Sequence, residues 1–303
     1  MTAFSINNVA IEDTFAEAFP MTAARVVVTA DTPAWAETAG RLATGYAASV
    51  IGCDAEAGIE RPLDAAETPD NRPGVSLLFF AFSRDALQKA LVNRVGQCIL
   101  TCPTTACYNA LPLVPDKNLR VGGQLRFFGD GFQISKKLDG VRYWRMPVMD
   151  GEFTCADLFG TIKGVAGGNF LIVGDSQAAA LAAAEAAVRA IRAVRGVILP
   201  FPGGIVRSGS KVGSRYKKLR ASTNDAYCPT LRGLVDSALP EGANAVYEIV
   251  IDGLDLSAVE EATRVGVRAA CRPGVLRIAA GNYGGKLGPF HLHLHKLLEN
   301  RTE

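Results

Sequence analysis

The sequence predicts a mixed α/β (α+β) chain of two duplicated lobes, each a ferredoxin-like split βαβ unit with a mainly antiparallel sheet. Three observations carry that reading. Apolar runs of strand type alternate with helix-type runs as strand–helix–strand, strand–helix–strand, and the whole order occurs twice. Shifting the first unit by 146 residues places Ala57-Gly58-Ile59 on Gly203-Gly204-Ile205 without a gap. Shifting the second by 170 places Arg94-Val95-Gly96 on Arg264-Val265-Gly266. The offsets differ by 24 residues, so the second half carries extra chain between about Val206 and Gly242. A length of 303 residues suits two lobes, 1–146 and 147–303.

The elements follow in order. ARVVVTA (24–30) reads as a buried strand. Thr32 and Pro33 supply an N-cap and an N1 proline for a helix running to about Tyr46. SVIGCDAEAGI then returns as a strand with a glycine turn. VSLLFFAF (75–82), SRDALQKALVNRVG and CILT read as strand, helix, strand. The stretch from Val121 to Phe153 alternates and contains Asp139-Gly140, which predicts β-hairpin structure. In the second half NFLIVGD (169–175) is a strand, and a helix runs from near Ser176 to a C′ residue at Gly196. VILPFPGGI returns. AVYEIVID (245–252), LSAVEEATRVG and VLRIAA complete the second unit.

Composition narrows the function. The chain is 49% hydrophobic and 20% charged, which suits a packed globular protein. A net charge of +2 gives no reason to expect nucleic acid as a partner. The most apolar run, Ala178 to Val194, contains Glu185, Arg189 and Arg192, so no membrane span is expected. The N-terminus lacks a basic, then apolar, signal pattern, and a cytoplasmic protein is expected. Seven scattered cysteines form no disulfide framework. Cys98, Cys102 and Cys107 are spaced unlike zinc or iron–sulfur ligands, and buried free thiols are expected.

Several motifs are excluded. GNYGGKLG has Ala280 and Leu287 where a P-loop needs Gly and Ser or Thr. There is no dinucleotide-type G-x-G-x-x-G and no G-x-S-x-G elbow. His291, His293 and His295 alternate and would share one face of a strand. They read as a polar strand face, with a metal-dependent hydrolase as the competing reading. No metal is expected, because no Asp, Glu or Cys nearby completes a coordination sphere.

Glu248 interrupts the apolar strand AVYEIVI, where the duplicated strand has Leu78. A carboxyl beside Val246 and Val250 would be desolvated, kept neutral, and able to donate a hydrogen bond to a developing oxyanion. An edge strand, or a face open to water, explains it equally well. The run RSGSKVGSRYKKLR holds Arg207, Lys211, Arg215, Lys217, Lys218 and Arg220, which either grip carboxylates or phosphates or coat a solvated loop. Ser222, Thr223, Asn224, Asp225 and Tyr227 form a polar cluster that suits ligand binding or turn formation. The pair Gly203-Gly204 permits either close ligand approach or a tight turn.

IEDTFAEAF, EAGI, ETPDNRPGV, RVGQC, FFGDGFQ, GVAGGNF, FPGGIV, SKVGS, ASTNDAYCPT, VYEIVI and GNYGGKLG, in this order, span Ile11 to His295. On these motifs the chain resembles the formylmethanofuran:tetrahydromethanopterin formyltransferase family over nearly its whole length. The resemblance implies two related lobes, no prosthetic group, and homodimers that can pair into tetramers. It implies methanofuran in an elongated cleft at a subunit interface and the pterin in a shallower one, both as co-substrates. It implies that Glu248 is the family's acid, protonated before reaction and steadying the tetrahedral oxyanion. Asn224, Asp225, Tyr227, Gly203, Gly204, Ser210, Lys211, Asn282 and Lys286 lie in matching motifs and are candidate substrate contacts. Family members from methanogens are often strongly acidic. The balance of +2 looks instead like a bacterial relative, the transferase subunit of a formyltransferase/hydrolase complex, with hydrolase subunits as partners. The basic 207–220 segment and the 231–239 loop depart from the family pattern, and the basic run is expected to meet an acidic methanofuran tail. A competing reading from another class is a non-catalytic scaffold or pterin-binding subunit of such a complex.

Overall fold

The chain, seen as a computed structural model, is described for residues 4–299. It forms two compact units. One runs from Met21 to Gly164; the other joins the residues up to Pro20 with those from Val165 onward. The strand Phe15–Thr29 contributes to both.

In the Met21–Gly164 unit the sheet order is Ala106–Asn109, Phe15–Thr29, Gly74–Ala81, Glu56–Leu63, with every one of these pairs antiparallel. Numbered along the chain this is 4-1-3-2, the ferredoxin-like order. The helices Pro33–Thr44 and Arg84–Arg94 open on Thr32 and Ser83, whose hydroxyls accept from Trp35 and Ala86 N–H groups. Their apolar faces bury Val26, Val28, Leu77 and Phe79. Gly151–Ala156, Val141–Val148 and Ile134–Leu138 extend the sheet beyond Ala106–Asn109. The tip at Asp139-Gly140 has φ of 48° and 81°, the two positive values that a two-residue primed turn requires.

Three expectations fail here. SVIGCDAEAGI is not a strand closed by a glycine turn: residues 49–55 form turns, and the strand runs Glu56–Leu63 with Gly58 inside it. CILT is not a strand: the helix continues as a wide turn over Val95–Ile99, which buries Val95 and Ile99. The fourth strand forms later, at Ala106–Asn109. The hairpin is also shorter than expected, because Gly122–Leu125 and Arg126–Gly129 are helical.

In the other unit the order is Val275–Ala279, Ile162–Gly174, Ala245–Gly253, Val197–Ile198, again 4-1-3-2. The helices Gln177–Ile191 and Leu256–Ala270, capped by Ser176 and Asp255, bury Phe170, Ile172, Ile249 and Ile251. Val9–Ile11 adds a parallel strand to Val275–Ala279 and is itself paired by Ser5–Ile6. Phe290–His293 pairs with the start of Phe15–Thr29.

Both offsets recur in the pairing. Arg25 faces Leu78 in one unit and Leu171 faces Glu248 in the other. Glu248 therefore holds the place of Leu78. The Gly203-Gly204-Ile205 match does not extend to structure. Its counterpart lies in the strand Glu56–Leu63, whereas Pro202–Gly204 is a 3-10 turn. Pro200 and Pro202 lack the N–H groups a ladder needs, so the second-half strand stops at Ile198. The helix from Ser176 also ends early, at Ile191, and Gly196 (φ 80°) reverses the chain just before that strand.

Among the described residues no helix is long and apolar enough to cross a membrane. All seven cysteines are free thiols; Cys102, Cys107, Cys155 and Cys271 are buried, while Cys53, Cys98 and Cys228 are partly exposed.

Candidate active site

Alternation along Ala245–Gly253 sends Ile249 and Ile251 into the helix-covered core and Glu248 to the opposite face. The strand is not an edge. It is paired on both sides, and Glu248 also exchanges backbone hydrogen bonds with Val206 at 2.8 and 3.0 Å. The extra chain after Val206 then folds over this face. Val206, Arg207, Ser208, Gly209, Asn224, Tyr227 and Cys228 line a small pocket with Glu248, leaving its side 9% exposed.

Glu248 has one side-chain partner of note. Asn169 Nδ2 donates to its Oε1 at 2.6 Å, while Asn169 Oδ1 accepts from Gly281 N–H at 3.0 Å. That second bond fixes the amide orientation, so the NH2 end must face the carboxyl. Asn169 follows a β-bulge between Val165 and Gly168, where the strand register shifts. Gly167 has φ of 88°, and its N–H donates to Asp252. The bulge sets which residue faces the acid. Burial pushes the Glu248 carboxyl up to about 7, against the smaller opposing effect of the Asn169 hydrogen bond. The acid thus titrates near neutrality, with its neutral form favoured below about pH 7.

The other predicted residues fall into distinct places. Asn224 and Tyr227 line the Glu248 pocket. Lys211 and Asp225 form an ion pair at 2.6 Å, and Lys211 holds the Asp225 carboxyl below its usual range. They border a wider groove of about 820 Å3, beside Tyr216, Leu219 and Leu234. Ser210 meets Tyr283, whose O–H donates to the Ser210 carbonyl at 3.0 Å. Gly203 and Gly204 form a turn that borders neither pocket, and a Cβ on Gly204 would meet Leu199 at 2.9 Å. Asn282 is engaged internally, donating to Thr14 Oγ1 and Phe15 O. Lys286 is exposed on the same loop.

His291 and His293 flank the Phe15 ring at 4.8 and 5.2 Å. His295 leaves the strand for the helix Leu294–Glu299 and bonds Ile11 O at 2.8 Å, so the three do not share one strand face. Among the described residues no three His, Cys, Asp or Glu side chains are grouped to hold a metal ion.

Sequence reasoning missed Asn169, Tyr283 and Glu17. Asn169 and Glu17 are polar residues inside strand segments, the same signal that singled out Glu248.

A buried, nearly neutral acid facing a polar pocket, on a duplicated split βαβ scaffold, fits an acyl-transfer enzyme. Comparison with known proteins makes the assignment particular. The family model described as formylmethanofuran-tetrahydromethanopterin formyltransferase matches residues 4–148, and that described as "FTR, proximal lobe" matches 151–297. The formylmethanofuran–tetrahydromethanopterin formyltransferase of Methylococcus capsulatus is 57% identical over 97% of this chain and 99% of its own. The crystal structure of the formyltransferase/hydrolase complex of Methylorubrum extorquens with methylofuran contains a chain 51% identical, with TM-score 0.94 over 99% of this chain and 100% of that one. The Methanosarcina barkeri formyltransferase structure is 50% identical, with TM-score 0.92 over 97% and 100%. The chain belongs to the formylmethanofuran–tetrahydromethanopterin formyltransferase family.

Proposed function

We propose that this chain transfers a formyl group reversibly between N-formylmethanofuran and N5 of tetrahydromethanopterin, with Glu248 as a neutral acid. The observation that carries the site assignment is the buried Glu248 carboxyl, held through one oxygen by Asn169. N5 attacks the formyl carbon, a C–N bond forms, and the carbonyl oxygen takes up negative charge. With Oε1 accepting from Asn169, the proton of neutral Glu248 sits on Oε2 and is donated to that oxygen as a hydrogen bond. N5 gives up its proton, the methanofuran nitrogen takes one up, and the bond between that nitrogen and the formyl carbon breaks, releasing the amine. No covalent enzyme intermediate is needed; holding both co-substrates in line supplies much of the rate.

Asn224 and Tyr227, which share the acid's pocket, are the substrate contacts best supported by position. The Lys211–Asp225 pair and the exposed Arg215, Lys217 and Lys218 border the wider groove or its hairpin, which suits an acidic coenzyme tail. Gly203, Gly204, Ser210, Asn282 and Lys286 act, in this reading, through the backbone of the loops they build. The repeat boundary is read at 146/147, supported by the two family matches, the first of which ends at 148 and the second of which begins at 151, within a few residues of it. We further read the chain as a cytoplasmic homodimer or homotetramer, and as working beside hydrolase subunits; the last of these is supported by the complex in which its Methylorubrum relative was solved.

The test is formyl transfer by the wild type, Glu248→Ala and Glu248→Gln across pH. Losing the donor should cost about 10²–10³ in rate at pH 6 for the alanine variant. Wild-type activity should fall as pH rises through about 7, where the acid ionises. Glutamine keeps a neutral donor, so that fall should vanish from its profile. An alanine variant with most of the wild-type rate would move the oxyanion role to another group. A wild type inactive with both co-substrates supplied would favour the scaffold reading.

A further inference from the structure

The glycine-rich loop Gly281–Leu287 closes on a carboxylate of the chain itself. Glu17 is 1% exposed. Its Oε1 accepts N–H groups from Tyr283 and Gly285, each at 2.6 Å, and its Oε2 accepts from Leu287 at 2.6 Å. Such convergent backbone N–H groups form an anion-binding nest, here filled from within. Burial raises the Glu17 carboxyl, but the three N–H groups and His291 together hold it below its ordinary range.

The loop is tied again through Asn282, which donates to Thr14 and Phe15, and at two points beside Glu248. Gly281 N–H reaches Asn169, which holds the acid. Tyr283 O–H reaches the carbonyl of Ser210, which continues the wall formed by Val206, Arg207, Ser208 and Gly209.

We propose that Glu17 is a positioning residue: it anchors the loop so that Tyr283 braces the 206–210 wall and keeps water away from Glu248. It acts through Tyr283 and touches no reacting atom. The proposal rests on reading Glu248 as the neutral acid. The titratable or charged groups facing Glu248 are Arg207, Tyr227 and Cys228 from the covering chain and Tyr283 from the loop; His291 faces Glu17. Burial favours the neutral acid and the Asn169 hydrogen bond the ionised one, so exclusion of water is what keeps the proton on.

The test is a 13C NMR titration of the Glu248 carboxyl in wild type, Glu17→Gln and Tyr283→Ala, with the pH profile of formyl transfer beside it. In Glu17→Gln the new amide N–H faces a backbone N–H, so the loop should release. Tyr283→Ala keeps the bonds from loop to Glu17 and removes the brace. In both, the Glu248 midpoint should fall by about one pH unit, giving about tenfold less activity at pH 8 and nearly wild-type activity at pH 5. A uniform loss at all pH, with the midpoint unmoved, would reduce Glu17 to a structural role and overturn the proposal. If Glu17→Gln does not fold, Tyr283→Ala decides alone: a midpoint at the wild-type pH sinks the brace. A fully active Glu248→Ala variant would instead remove the acid reading, while the NMR midpoints still decide whether the loop shields that carboxyl.

Discussion

At the scale of single residues, the site is a contrast between two buried carboxyls. Glu17 accepts three backbone N–H groups and is held ionised. Glu248 meets one side-chain amide and is pushed up to about 7. The folded chain therefore keeps a proton on Glu248 that the unfolded chain has lost. This favours the folded state at low pH, and the advantage disappears as pH rises from about 4.5 to about 7. The loss is on the order of 3 kcal/mol. Glu248→Gln should accordingly raise Tm at pH 8 and change it little at pH 5, as calorimetry at both values would show; equal shifts would mean the acid is not desolvated. Glu17 has the opposite sign. Its contribution is present above the ordinary carboxylate range and is lost as pH falls through its lowered value.

At the scale of elements, the bulge in Ile162–Gly174 decides which side chain reaches the acid. Gly167 has φ of 88°, and a Cβ there would lie 2.6 Å from the Phe19 ring. Gly167→Ala should cost about 2 kcal/mol or more in urea unfolding, since strain and overlap act together. Transfer activity should fall with it, because Asn169 loses its aim. A variant with unchanged stability would mean that the bulge relaxes freely. The capped helices are the elements most legible in the sequence. Thr32 caps where expected, and Ser83 and Ser176 cap the helices read to begin at or near them, because a cap is a local bond between a side chain and an N–H three residues on. CILT misled because Ile and Leu suit a strand and a buried helical turn equally.

At the scale of the whole molecule, sequence halves and compact units are not the same objects. Residues up to Pro20 complete the unit that holds Glu248, through Val9–Ile11 on Val275–Ala279 and through Glu17 in its nest. A fragment covering 147–303 should therefore remain poorly folded, with the strands beside Val275–Ala279 missing and three N–H groups of the loop unfilled. Circular dichroism and amide dispersion would test this; a cooperative unfolding transition in the isolated fragment would count against it.

By itself the sequence determined the duplicated βαβ order, the family, and Glu248 as an acid out of place. These are carried by local periodicity, caps and ordered motifs, all readable along one chain. Tertiary structure alone decided whether Glu248 meets water or is sealed. That depends on chain from Val206 to Cys228 covering the strand, on Asn169 aimed by a bulge, and on a loop gripped by Glu17 more than two hundred residues away. Burial and hydrogen-bond closure are set by such long-range contacts, and no local pattern records them.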